Sequence, residues 1–206
     1  MITIALPKGR IADEVLAVFS QIFKQDFSFL DRKLIFQQND FRFLLVRNQD
    51  VPSYVFYQAA DLGIVGLDVL EENKLDIIRL LDLEIGKCKV VLGSKNDCVL
   101  DFNKPQMKIA TKMPNITRDF FSKKAVATEI IKLYGSIELA PLVGLSDAIV
   151  DIVETGNTMK QHNLKVDEVI MESSAFLVAN QNSFYAKKTQ ILDLYKQLES
   201  IKQDEV

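Results

Sequence analysis

The chain has 206 residues, 48% of them hydrophobic and 26% charged, enough for one large or two small globular domains and unlike a disordered or fibrous protein. Its net charge of −3 argues against general nucleic-acid binding, so an anionic ligand has to be met by a local basic cluster. Cys88, Cys98 and the single histidine, His162, suggest no metal site, no window reaches the length of a membrane span, and without a recognisable export signal a cytoplasmic location is expected.

The chain opens with a strand at Ile2 to Ala5 and a turn at Pro7-Lys8-Gly9. Ile11, Val15, Val18, Phe19, Ile22 and Phe23 then recur at the spacing of one helix face. Strands are predicted at Leu34 to Phe36 and Phe41 to Val46. A helix follows near Asp50-Val51-Pro52, with Asp50 as N-cap and Pro52 in the first turn. Leu62 to Val65 reads as a buried strand, followed by a helix from Leu67 to Glu72. Gly86 to Ser94 reads as a longer strand and the polar stretch from Lys95 to Pro105 as a connection. Beyond it come a strand at Lys108 to Thr111, a helix after Pro114-Asn115, and strands at Thr128 to Leu133, Glu168 to Met171 and Phe176 to Ala179. Lys187 to Lys202 carries Ile191, Leu194, Leu198 and Ile201 on one face and should be an amphipathic helix. Alternating strands and helices predict an α/β protein of mainly parallel sheets. Two lobes are expected, residues 1–90 with 175–206 and residues 91–174, facing each other across a cleft. Ser173-Ser174-Ala175 serves as the return hinge, and no internal repeat is evident.

Asp147 to Lys160 is the segment richest in chemistry. Ile149, Val150, Ile152 and Val153 form the near-continuous apolar run of a strand covered on both faces, so Asp151 inside it needs a reason. The strand ends in Glu154-Thr155-Gly156-Asn157-Thr158. Hydroxyls, a flexible glycine and the N–H groups of a following helix suit an anion, while the preceding carboxylates suit sugar hydroxyls or a hydrated Mg²⁺. Ordinary strand-to-helix turn chemistry accounts for the same residues, with Asp151 at a strand edge. Lys8 and Arg10 sit in the first strand-to-helix turn, Arg32 just before a strand and Arg47 directly after one. Each reads equally well as a solvated charge or as an anion contact.

These residues belong to segments that together resemble the ATP phosphoribosyltransferase family in its short form. The matching segments are Ile4-Ala5-Leu6-Pro7-Lys8-Gly9-Arg10, Asp50-Val51-Pro52-Ser53-Tyr54-Val55, Ala60 to Asp68, Ile109 to Arg118, and Gly135-Ser136-Ile137-Glu138-Leu139-Ala140-Pro141 running on through Thr158. They span nearly the whole chain in order. The resemblance implies a two-lobed fold of the type II periplasmic-binding-protein kind with its active site in the inter-lobe cleft. It implies transfer of the phosphoribosyl group of phosphoribosyl pyrophosphate to N1 of ATP, with release of pyrophosphate assisted by Mg²⁺, the first step of histidine biosynthesis.

On that resemblance Thr155, Gly156, Asn157 and Thr158 cradle the 5′-phosphate, and Asp151 and Glu154 face the ribose hydroxyls. Lys8, Arg32 and Arg47 act near ATP and the departing pyrophosphate, and Gly9, Arg10, Gly66 and Asp68 are adenosine-side contacts. No metal ligand is assigned, Mg²⁺ being held mainly through substrate. Many phosphoribosyltransferases carry two adjacent acids before the phosphate turn. Here Ile152 and Val153 separate them, and in an extended strand they would face opposite sides, so Glu154 joins Asp151 only if the strand has ended. The short form also implies a hetero-oligomer of catalytic dimers with a regulatory subunit related to histidyl-tRNA synthetase. Competing readings are a cytoplasmic two-lobed binding or sensor protein for a phosphorylated ligand, and a phosphoribosyltransferase acting on a free base.

Overall fold

The computed structural model describes residues 1–29, 33–154 and 156–204. The elements run β1 (Ile2–Pro7), α1 (Arg10–Phe23), β2 (Ile35–Gln38), β3 (Phe41–Val46), α2 (Val51–Phe56), β4 (Leu62–Gly66), α3 (Leu67–Asn73), β5 (Ile78–Asp82), β6 (Cys88–Lys95) and β7 (Met107–Thr111). They continue with α4 (Pro114–Lys123), β8 (Thr128–Lys132), α5 (Leu139–Leu142), β9 (Ala148–Val153), α6 (Asn157–Gln161), β10 (Leu164–Ser173), β11 (Ala175–Ala179), α7 (Gln181–Ala186) and α8 (Lys188–Asp204). The chain divides into two compact units, Met1–Gly86 with Ser174–Val206, and Lys87–Ser173. The first crossing thus precedes β6, a strand that pairs wholly within the second unit, rather than cutting it at residue 90.

The first unit is a sheet of order β2-β3-β1-β4-β11-β5. Alternation along β1 sends Ile2, Ile4 and Leu6 into a core with Val15 and Phe19 of α1 and Ile191, Leu194 and Leu198 of α8. Ala5 instead packs with Val51 and Val55 of α2 and Val69 of α3. Helices therefore cover both faces. Phe19 extends its core through edge-on contacts with Phe41 and Phe43, at ring separations of 5.4 and 5.2 Å.

The second unit is a sheet of order β10-β6-β9-β7-β8. Phe121 and Ile116 of α4 pack with Leu92, Ile109 and Val150. Ala140 of α5 and Met159 of α6 pack with Ala110 and Ile149.

Both sheets are mixed, where alternation of elements predicts mainly parallel ones. Among the described residues only β3-β1-β4 and β8-β7-β9 run parallel. The remaining strands enter antiparallel, beginning with β2, which reaches β3 through a two-residue hairpin turn whose Asn39 has φ 52°. Asp50 does not cap α2 with its side chain, because it already has helical dihedrals as the last residue of a 3₁₀ turn at Asn48–Asp50.

The backbone also contains a repeat that the side chains conceal. In the first unit the Thr3 N–H donates to the Asp61 carboxylate and the Asp61 N–H donates to the Thr3 carbonyl, both at 2.8 Å. In the second, Lys108 and Asp147 exchange the same two bonds at the same distances. Ile4 pairs with Leu62 as Ile109 pairs with Ala148. Three residues before each aspartate the chain turns through a positive φ, 62° at Gln58 and 75° at Gly144. A lysine meets each carboxylate, Lys187 at 2.7 Å and Lys104 at 2.9 Å. Each unit is thus one strand flanked by two parallel neighbours, with the third strand locked to the first by an aspartate at its amino-terminal end.

Candidate functional site

That topology places a switch point at the carboxyl edge of each sheet, where successive helical connections pack on opposite faces. In the first unit Pro7 pairs with Val46, and the Lys8 N–H donates to the Val46 carbonyl at 2.8 Å, so Lys8 and Arg47 leave neighbouring strands side by side. Ala5 pairs with Gly63, which sets Gly66 level with Lys8. Gly9 begins α1 at φ 103° with nothing near the place of a Cβ, so its role is conformational. Asp68 lies buried in the first turn of α3. Lys8, Gly9, Arg47 and Gly66 therefore gather at one edge. Arg10 lies one residue into α1 and pairs with Glu14 at 3.4 Å on the exposed side of the helix. Arg32 lies outside the described residues.

In the second unit Thr111 pairs with Val150, which brings the next residues, Lys112 and Asp151, level across β7 and β9. Their side chains meet at 3.0 Å, Lys112 Nζ to Asp151 Oδ1. The Ile152 N–H donates to the same oxygen at 2.8 Å. Beneath them the buried Thr111 hydroxyl donates to the Val150 carbonyl at 2.8 Å and accepts from the Met113 N–H at 2.9 Å. β9 ends at Val153, so Glu154 lies beyond the strand and is released from its alternation. The geometric objection to its joining Asp151 is thereby removed. Gly156 takes φ 77°, and Asn157 and Thr158 open α6, whose first N–H groups have no acceptor within the helix. Thr155 lies outside the described residues.

Lys112 is the residue that sequence reasoning passed over. Its signal was available, a basic residue directly after a parallel strand, the same context as Lys8 after β1. Electrostatics separate these carboxyl edges from the amino-terminal ones. Burial pushes the Asp61 carboxyl up, but Lys187, the Thr3 N–H and Ser183 together hold it below the usual carboxylate range. The Lys108 N–H and Lys104 do the same for Asp147. Both are strand locks at the edge opposite the carboxyl one. Among the described residues no cluster of three His, Cys, Asp or Glu side chains is arranged to hold a metal ion. No helix among the described residues is long and apolar enough to cross a membrane.

Two mixed sheets, each in its own compact unit with helices packed on it, define the class to which this chain belongs, a two-unit α/β fold that solved solute-binding structures share. The substrate-binding protein of an amino acid ABC transporter superposes with a TM-score of 0.60 over 99% of this chain and 94% of that one, at 14% identity. The particular family is given by sequence: the model described as HisG, ATP phosphoribosyltransferase, matches residues 47–200, and the chain belongs to the ATP phosphoribosyltransferase family. An ATP phosphoribosyltransferase of Wolinella succinogenes is 66% identical over 203 residues, covering 98% of each chain. The ATP phosphoribosyl transferase (HisG:HisZ) complex from Thermotoga maritima contains a chain 31% identical with a TM-score of 0.88, aligned over 99% of this chain and 100% of that one. The protein is therefore a transferase of the first step of histidine biosynthesis.

Proposed function

We propose that the carboxyl edge of the second unit binds phosphoribosyl pyrophosphate, and that Lys8 and Arg47 at the carboxyl edge of the first unit bind the phosphates of ATP and the diphosphate that leaves. The carrying observation is the ordered set at the end of β9: a fixed carboxylate, the end of the strand, and a positive-φ glycine opening α6. Asp151 accepts from a ribose hydroxyl, and the turn from Thr155 through Thr158 donates to the 5′-phosphate. On family resemblance Arg32 is assigned with Lys8 and Arg47 to ATP and the departing pyrophosphate, and Arg10, Gly9, Gly66 and Asp68 to the ATP side.

The reaction needs no protein nucleophile. The lone pair of adenine N1 attacks C1 of the ribose on the face opposite the diphosphate, the new N–C bond forms, and the C1–O bond breaks with its electron pair leaving on pyrophosphate. The configuration at C1 inverts. Positive charge grows on the sugar and negative charge on the leaving group, so cations set beforehand around the diphosphate stabilise the transition state more than the ground state. Mg²⁺ when bound would supply further neutralisation of the diphosphate, and Glu154 is assigned to the ribose hydroxyls on family resemblance. Positioning two anionic substrates is most of the task.

The HisG:HisZ assembly of the Thermotoga relative supports a hetero-oligomer here too, in which a separate regulatory subunit related to histidyl-tRNA synthetase joins catalytic dimers of this chain. A cytoplasmic location accords with a biosynthetic enzyme. Incubating the chain with ATP, phosphoribosyl pyrophosphate and Mg²⁺, alone and with that subunit, tests the reading. N1-phosphoribosyl-ATP and pyrophosphate should form in equal amounts. Release of neither product in both mixtures would remove it.

A further inference from the structure

We propose that Lys112 is a positioning residue of the phosphoribosyl site, fixing Asp151 so that one carboxylate oxygen is presented to a ribose hydroxyl. The proposal rests on the assignment of Asp151 to the ribose. A carboxylate offers about four acceptor sites on two oxygens. Among the described residues both holding contacts fall on one oxygen: Oδ1 meets the Lys112 ammonium at 3.0 Å and accepts from the Ile152 N–H at 2.8 Å. Among the described residues Oδ2 has no hydrogen-bond partner. The pair is well shielded, with side-chain exposures of 29% for Lys112 and 21% for Asp151, so the contact is screened less than one on the open surface.

The backbone on either side of Lys112 is pinned. Thr111 is tied through its hydroxyl to Val150, the residue before Asp151, and to the Met113 N–H. The Met113 carbonyl in turn accepts from the Thr117 N–H at 3.1 Å and the Thr117 hydroxyl at 2.7 Å. Lys112 thus projects from a short stretch fixed at both ends, level with Asp151 on the adjacent parallel strand. Such an arrangement does two things for an anionic sugar phosphate. It removes the rotational freedom of the carboxylate that has to meet a hydroxyl. It also cancels a negative charge that would repel the diphosphate of the same substrate.

Lys112→Met and Lys112→Arg in the full chain test this, with phosphoribosyl pyrophosphate binding read by titration calorimetry and KM for each substrate under conditions where the unaltered protein turns over. Lys112→Met should weaken phosphoribosyl pyrophosphate binding about tenfold, leaving the KM for ATP and the thermal midpoint unchanged. Lys112→Arg should restore most of the loss. In an Asp151→Asn background Lys112→Met should cost nothing further, since the group it positions is gone. A full, additive cost in that background would mean that Lys112 touches the substrate itself, and the positioning role would be overturned. Unchanged affinity in Lys112→Met, with Asp151→Asn still impaired, would also overturn it while leaving Asp151 at the ribose. Unchanged affinity in Asp151→Asn would remove the ribose assignment and this role together.

Discussion

Thr111 carries the local geometry of the edge proposed to hold the phosphoribosyl group on a single hydroxyl. It is fully buried and bridges β9 to the turn that leads into α4. Thr111→Val keeps the shape but strands a buried carbonyl and a buried N–H, at a cost of about 2 kcal/mol. Urea denaturation should show that loss, and the KM for phosphoribosyl pyrophosphate should rise because Lys112 and Asp151 lose their common support. Unaltered stability would mean that the two backbone groups find other partners. Asp151 was legible in the sequence because a charge inside an apolar strand is costly and so draws notice. Lys112 was not, because a lysine after a strand is ordinarily solvated and its partner lies 39 residues away, brought level only by the pairing of β7 with β9. Glu154 depended on where β9 stops, which a run of apolar residues cannot fix.

At the scale of elements, α6 is too short to stand alone and is held by Met159, which is buried against β6 over Gly93. A Cβ on Gly93 would collide with the Met159 methyl group and lie 2.9 Å from the Lys165 carbonyl. Gly93→Val should therefore displace α6, lower stability by about 2 kcal/mol and weaken phosphoribosyl pyrophosphate binding. Adding Met159→Ala should recover part of the binding loss by making room for the valine. Failure of the second substitution to help would shift the clash to the Lys165 backbone. Strong periodicity made α1, β3, β4 and β9 readable within a residue or two. β5 was missed and β10 read as four residues instead of ten, because edge strands need not alternate. The outer strand β10 mixes Lys165, Asp167, Glu168 and Glu172 with its apolar residues and is interrupted by two register shifts, features that keep a sheet edge from pairing further. The short helices α5 and α7 also escaped, each being less than two turns long.

At the scale of the molecule, the two units repeat one plan, and the repeat lives in backbone register rather than in residue identity. Asp61 and Asp147 are its visible trace. Because the folded Asp61 carboxyl is held below its ordinary value of 3.8, the stability it contributes is present above that pH and lost as pH falls through the folded value. Asp61→Asn should thus be less stable than the unaltered protein near neutral pH by about 1 to 2 kcal/mol, with the gap narrowing below pH 3.8. Denaturant midpoints on both sides of that pH measure it, and a gap that widens in acid would contradict the sign. Family membership explains why ordered segments identify this chain where composition could only bound it, since a parallel strand with a carboxylate near its end is common to many activities.

The most direct test of the assignment of Asp151 to the ribose is the rate of N1-phosphoribosyl-ATP formation from ATP and phosphoribosyl pyrophosphate by the full chain with the proposed regulatory subunit, compared with Asp151→Asn as phosphoribosyl pyrophosphate is varied. That assignment predicts product from the unaltered chain and a KM for phosphoribosyl pyrophosphate raised about tenfold in the variant, with the KM for ATP unchanged. Equal KM values for phosphoribosyl pyrophosphate in the two proteins would contradict it.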